Sequence, residues 1–131
     1  MTLLLDTSVC IPLINRSEPG LAERLLHEEP GSVVLCSVVK AELYFGARNS
    51  MKVAENLDRV ERFCDAFDSL PFDDAAAARY GGVRAQLKRE GRPIGANDLM
   101  IASIALARSV KLITRNVNEF QRVPGLNITP W

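Results

Sequence analysis

The sequence predicts an α/β fold built on a parallel sheet, and three observations carry this expectation. Short apolar runs, Leu3-Leu4-Leu5, Val33-Val34-Leu35-Cys36 and Lys111-Leu112-Ile113, are bounded by polar or turn residues, the pattern of strands buried on both faces. The stretches between them carry helical periodicity, and strands alternating with helices favour a sheet covered on both sides. At 131 residues and 47% hydrophobic side chains, with no linker, repeat or low-complexity run, the chain suits a single ordinary domain over 1–131.

The elements follow in order. Leu3-Leu4-Leu5 opens the sheet, and a helix is expected over 7–15. Ser17-Glu18-Pro19-Gly20 interrupts the chain before a helix over 20–29, and Glu29-Pro30-Gly31 turns it into the second strand. Helices over 38–49 and 52–68 come next. The latter sets Val53, Leu57, Val60, Phe63, Cys64 and Phe67 opposite Lys52, Glu55, Asp58, Arg59 and Arg62, an amphipathic pattern for packing or for a partner. A helix over 74–90 runs into Gly91-Arg92-Pro93. The helix over 96–109 is apolar nearly all round, with Asp98 and Arg108 its only charges, so it should be buried. Lys111-Leu112-Ile113 is the next strand, and Leu126-Asn127-Ile128 could add an edge strand.

Composition removes several function classes. Sixteen Lys plus Arg balance sixteen Asp plus Glu, so a nucleic acid would have to be met by a local basic patch rather than by bulk charge. No apolar run approaches the ~20 residues of a membrane span, and Met1-Thr2-Leu3 lacks the basic start of a signal peptide, so a cytoplasmic location with no membrane partner is expected. Cys10, Cys36 and Cys64 are odd in number and far apart, which argues for packing rather than disulfides or zinc. His27, the one histidine, sits in a polar stretch and reads as solvated. That removes Ser-His-Asp and Cys-His catalysis, and neither phosphate-cradling glycine motif occurs.

Carboxylates carry the remaining chemistry. In open α/β sheets ligands bind beyond the carboxyl ends of the strands. Asp6 follows the first strand directly, where it could also serve as a helix N-cap. Glu42 lies within a stripe formed by Val38, Ala41 and Phe45, a costly place for a charge without a partner. Asp98 falls in the first turn of the apolar helix, where it or Asn97 could cap. Thr114, Arg115, Asn116 and Glu119 follow the strand at 111–113, with Asn116 and Glu119 on one face if a turn forms. Acidic groups at equivalent strand ends predict one negative pocket, and an all-oxygen donor set selects Mg²⁺ or Mn²⁺ over zinc. Metal-assisted phosphoryl chemistry fits such a pocket.

These residues resemble the PIN-domain ribonucleases, most closely VapC-type toxins of bacterial toxin–antitoxin pairs. The likeness spans nearly the whole chain. It rests on Leu5-Asp6-Thr7-Ser8, Glu42-Leu43-Tyr44-Phe45-Gly46, Ile94-Gly95-Ala96-Asn97-Asp98-Leu99-Met100-Ile101-Ala102, and Leu112-Ile113-Thr114-Arg115-Asn116-Val117-Asn118-Glu119-Phe120. The resemblance implies an α/β/α sandwich with a parallel sheet of four to five strands. It also implies catalytic, metal-binding roles for Asp6, Glu42 and Asp98 in an Mg²⁺- or Mn²⁺-dependent endoribonuclease. Some members carry Asp where this chain has Asn116, which leaves open whether Asn116 or Glu119 completes the metal site. The ending from Arg122-Val123-Pro124-Gly125 to Trp131 resembles members that cut the anticodon loop of initiator tRNA. A homodimer and a cognate antitoxin, whose extended segment blocks the pocket, are implied as well.

Single-stranded or looped RNA suits such a pocket, with Lys40, Arg48, Lys52, Lys88, Arg89, Arg92 and Arg115 as candidate phosphate contacts. Two other readings start from Asp6. One is a phosphatase with Asp6 as nucleophile, although Ser8 stands where haloacid-dehalogenase-like enzymes usually carry a second Asp. The other is a non-catalytic receiver-like module with Asp6 as phospho-acceptor.

Overall fold

The computed structural model describes residues 1–131. The chain order is β1 (Leu3–Leu5), α1 (Thr7–Asn15), α2 (Pro19–Leu26), β2 (Val33–Cys36), α3 (Ser37–Arg48) and α4 (Val53–Asp65), followed by β3 (Asp68–Leu70), α5 (Asp74–Arg89), α6 (Ala96–Arg108), β4 (Lys111–Ile113), α7 (Val117–Phe120) and β5 (Ile128–Thr129). The five strands form one parallel sheet in the order β3-β2-β1-β4-β5. Every residue of β1 and β2 is buried, as strands covered on both faces must be.

Strand order decides where a site can form. From β1 the chain builds outward to β2 and β3 on one side, then returns to lay β4 and β5 on the other. The crevice at this reversal lies beyond the carboxyl ends of β1 and β4. Leu5 is in register with Ile113, and the Asp6 N–H donates to the Ile113 carbonyl at 2.9 Å, so Asp6 and Thr114 leave the sheet side by side.

Apolar side chains hold this frame. Leu4, Leu5, Leu35, Leu112 and Ile113 from the strands meet Leu99, Ile101, Ile104 and Ala105 from α6 in one core cluster. The expected burial of α6 is observed, and its Ser103 hydroxyl is satisfied by the Leu99 carbonyl at 2.6 Å. Phe120 is fully buried and pins the single turn of α7 to the core. Burying such a side chain contributes about 2–3 kcal/mol, more than one helical turn can supply for itself. Asp73 caps α5 by accepting from the Ala76 N–H at 3.0 Å and also meets Arg108 at 3.2 Å, tying α5 to α6.

Several element limits differ from the sequence-based expectation for physical reasons. The helix expected over 20–29 ends at Leu26, where i to i−3 hydrogen bonds at His27 and Glu28 close it ahead of Pro30. The helix expected over 52–68 ends at Asp65, and Asp68-Ser69-Leu70 forms the unanticipated edge strand β3. Phe67 lies outside α4, yet its ring stays 5.0 Å from Phe63, so helical spacing continued past the helical backbone. The last strand is Ile128–Thr129 rather than 126–128. On α3 the buried face is Val38, Val39, Leu43 and Ala47, whereas Ala41 and Phe45 are exposed. Glu42 is therefore at a half-buried margin and not within a buried stripe. The three cysteines are buried and unpaired, and His27 is exposed, both as expected. No helix is long and apolar enough to cross a membrane.

Candidate active site

Asp6 is 4% exposed, so its charge needs partners. It stands at the N-cap position of α1, but its side chain makes no capping bond. Its Oδ2 instead accepts hydrogen bonds from Ser8 Oγ at 2.8 Å and Thr114 Oγ1 at 2.7 Å. Each hydroxyl has one proton, and both protons are given to Asp6. Ser8 Oγ and Thr114 Oγ1 then accept the N–H groups of Arg115 and Asn116, each at 3.0 Å. Asp6 is thus clamped to the loop after β4, with no protein donor on its Oδ1. The roles of Thr7 and Ser8 were not foreseen; their place directly after a strand-end Asp was the available signal.

Glu42 reaches the same crevice from α3. Its Oε1 accepts from Thr7 Oγ1 at 2.7 Å, which joins the start of α1 to the middle of α3. Asp98 enters from the first turn of α6, where Gly95 occupies the N-cap position and neither Asn97 nor Asp98 caps with its side chain. Asp98 is hydrogen-bonded to Glu119, and its pKa rises to about 8. Burial is the main cause, followed by the hydrogen bond and charge of Glu119 and the charges of Asp6 and Glu42. Glu119 is held below the usual carboxylate range, first by its bond to Asp98 and then by the Gly95 N–H, which donates at 2.7 Å. The two acids therefore share one proton, with Glu119 the charged partner.

Asn116 bridges this pair. Its Nδ2 donates to Glu119 Oε2 at 2.6 Å and faces Asp98 Oδ2 at 3.3 Å. The structure thus brings Asp6, Glu42, Asp98, Asn116 and Glu119 to one crevice. Burial raises the thiols of Cys10 and Cys36, the latter to about 11, so neither supplies a nucleophile at neutral pH.

No three acidic, histidine or cysteine side chains stand close enough together to hold an ion between them. Mg²⁺ does not require three, because it commonly keeps several waters and binds through one or two carboxylates. A pocket whose carboxylates force a proton onto Asp98 has the chemistry that a hard cation relieves. The donor set fits that class of ion.

The basic residues expected to meet phosphates differ in availability. Arg115 is taken up by Glu18 and by the Trp131 carbonyl, and Lys52 lies 4.0 Å from Glu55. Lys40, Arg48, Lys88, Arg89 and Arg92 form no ion pair. Beside Glu42 lies an apolar groove of about 220 Å³ lined by Ile11, Ile14, Leu43, Ala47 and Val60 among others, near the exposed Phe45.

Comparison with known proteins gives this arrangement a context. Residues 3–126 match the PIN domain family. The chain is 39% identical to the tRNA(fMet)-specific endonuclease VapC of Shigella flexneri, over 98% of this chain and 96% of that protein. It is 33% identical to ribonuclease VapC2 of Rickettsia felis, over 100% and 98%. Among solved structures, DNA-bound VapBC from Salmonella typhimurium superposes with a TM-score of 0.94 at 35% identity, covering 100% of this chain and 98% of that one. VapBC2 from Rickettsia felis, bound to a promoter DNA fragment, gives 0.91 at 31% identity, covering 100% and 99%.

Proposed function

This chain belongs to the PIN domain family, among the VapC ribonucleases, and we propose that it is an endoribonuclease that uses Mg²⁺ or Mn²⁺ to hydrolyse phosphodiester bonds in single-stranded or looped RNA. The observation that carries this reading is the convergence of Asp6, Glu42, Asp98 and Glu119 where the strand order reverses. The name of the Shigella relative, a tRNA(fMet)-specific endonuclease, supports a tRNA as the target, and we place the cut in its anticodon loop.

Asp6 and Asp98 would hold the ion, with Glu42 and Glu119 reaching it directly or through water. A bound ion of this kind lowers the pKa of water and neutralises charge on a phosphate. The protein supplies the geometry. Ser8 and Thr114 fix the rotation of Asp6, Thr7 fixes Glu42, and the Gly95 N–H fixes Glu119. Asn116 keeps Asp98 and Glu119 together, and as the bridging donor it orients the fourth corner whose carboxylate is Glu119. Asp98 and Glu119, which share a proton in the metal-free pocket, would both offer carboxylate oxygens to such an ion.

The solved VapBC complexes support an antitoxin partner for this chain, and the apolar groove beside Glu42 suits an extended segment that ends with a basic side chain in the pocket. A homodimer is part of the same proposal. Incubating the purified chain with tRNA and unstructured RNA in Mg²⁺, Mn²⁺ or excess EDTA tests the reading. Cleavage with either ion and none in EDTA is expected; full cleavage in EDTA overturns the metal mechanism.

A further inference from the structure

The acidic pocket raises a problem that its own residues do not solve: it repels the polyanion it is meant to cut, and the chain has no net charge to compensate. A second concavity lies alongside it. The cleft is about 630 Å³ in volume and is lined by Gly91, Arg92, Pro93, Asn118, Gln121 and Arg122, with no apolar side chain other than the proline ring. Its walls are the segments that build the fourth corner of the pocket, since Asn118 adjoins Glu119 and Pro93 lies two residues before Gly95. Arg122 Nη1 donates to the Pro93 carbonyl at 3.0 Å and locks the two walls together.

Neither arginine is neutralised by an acidic partner. Neither lies within 4.0 Å of a carboxylate, in contrast to Arg62, Arg108 and Arg115, which are all ion-paired. Arg92 is exposed and makes no hydrogen bond through its side chain, whereas Arg122 is half-buried with donors left over. Asn118 and Gln121 add amide donors between them. A cleft that presents one anchored and one free guanidinium group, side-chain amides and no carboxylate matches a phosphate-bearing ligand.

We propose that the Arg92–Arg122 cleft is a backbone subsite that holds a phosphate of single-stranded RNA flanking the cleavage pocket. This rests on the nuclease reading above and adds to it where the substrate is gripped. Phosphate contacts position a nucleic acid without reading its sequence. The cleft would therefore set affinity and register, leaving the choice of bond to other surfaces.

The test is binding of a labelled single-stranded RNA oligonucleotide, followed by fluorescence anisotropy across salt concentrations in EDTA, for wild type, Arg92→Gln, Arg122→Gln and the double variant. Each lost phosphate contact should make the log–log salt slope shallower by about 0.7, which at about 0.1 M salt weakens binding about fivefold, and about 25-fold for the pair. Arg92→Lys and Arg122→Lys should retain most of the slope, since a point charge remains. Arg92→Gln alone decides the matter if Arg122→Gln loosens the loop. Unchanged affinity and slope in the Arg92→Gln and double variants overturn the proposal. So does a double variant that loses affinity for poly-glutamate but not for RNA, which would assign the cleft to an acidic protein segment. RNA cleavage in Mg²⁺ is measured separately. A shallower salt slope in a chain that cuts no RNA upholds the cleft and overturns the nuclease reading, whereas normal cutting with an unchanged slope does the reverse.

Discussion

Replacing Asp98 by Asn should stabilise the metal-free protein and abolish most of its response to metal. The wild-type group is protonated in the folded state until about pH 8, whereas in the unfolded chain it ionises near ~4. A raised folded pKa means that the folded state binds the extra proton between these values, so this group's contribution to apo stability is fully present below pH ~4 and is lost as pH rises toward 8. Between ~4 and pH 7 lie about three pH units of ionisation that folding must oppose, worth about 4 kcal/mol for a group fully out of water. Asp98 is only half-buried, and solvent screening reduces this to about 2 kcal/mol. The Asn amide retains a donor for Glu119 and carries no charge. Asp98→Asn should therefore gain about 2 kcal/mol at pH 7, or roughly 6–10 °C in Tm for a chain of this size. Toward pH 4 the gain should shrink to a few tenths of a kcal/mol, because the wild-type group is then neutral when folded and only about half ionised when unfolded. Metal bound only by the folded form adds RT ln(1 + [L]/Kd), about 2.7 kcal/mol at a concentration 100 times Kd, and the variant should forfeit most of this rise. Thermal melts of both proteins from pH 4 to 8, with and without Mn²⁺, provide the measurement. A difference that is the same at every pH, or an undiminished metal-induced rise in the variant, would refute the reasoning.

In steady-state assays with Mg²⁺ or Mn²⁺, Asp6→Asn and Glu42→Gln should each lower RNA cleavage by orders of magnitude, and excess EDTA should abolish it in the parent; residual activity within tenfold of wild type would remove that side chain from the mechanism. Thr7→Val frees Glu42 without touching the substrate, so kcat should fall by about 10- to 100-fold with KM little changed, and Thr7→Ser should restore it. Thr114→Val removes a donor to the buried Asp6 and should cost about 1–3 kcal/mol in urea unfolding. Phe120→Ala should cost about 3–5 kcal/mol and, by releasing α7, weaken metal binding as well; a loss of stability with unchanged metal affinity would show that α7 is held by other contacts.

The parts of the fold that were legible in the sequence are those whose burial is complete. Leu3-Leu4-Leu5 and Val33-Val34-Leu35-Cys36 are apolar runs with sharp polar limits, and they became strands at those limits. Edge strands were harder. Asp68-Ser69-Leu70 is largely exposed and carries no periodicity of its own, while the helical spacing of the preceding segment ran straight across it. At the site, Asp6 and Asp98 could be located because each directly follows the signal that positions it. The supports of the pocket could not, because they join residues remote in sequence: Thr7 to Glu42 across 35 positions, Thr114 to Asp6 across 108 and Gly95 to Glu119 across 24. Local patterns carry no trace of such pairs. Glu42 shows a related limit, since the stripe to which it was assigned is exposed at Ala41 and Phe45, which leaves Glu42 half-buried at the helix margin.

The position of β1 in the middle of the sheet governs when the protein can become active as it is made. The first strand to be synthesised is flanked by β2, which follows within some thirty residues, and by β4, which arrives only at Lys111–Ile113. Until then one edge of β1 has no strand partner, Asp6 lacks the Thr114 hydroxyl, and Asp98 has no Glu119 with which to share a proton. A growing chain therefore contains three of the four carboxylates of the pocket without containing the pocket. For a member of a ribonuclease family made on a ribosome, this order delays assembly of the pocket until nearly the whole chain has emerged. The exposed edge of β1 is the cost of that delay, because an unpaired strand is the part of a nascent domain most prone to pair with a neighbour.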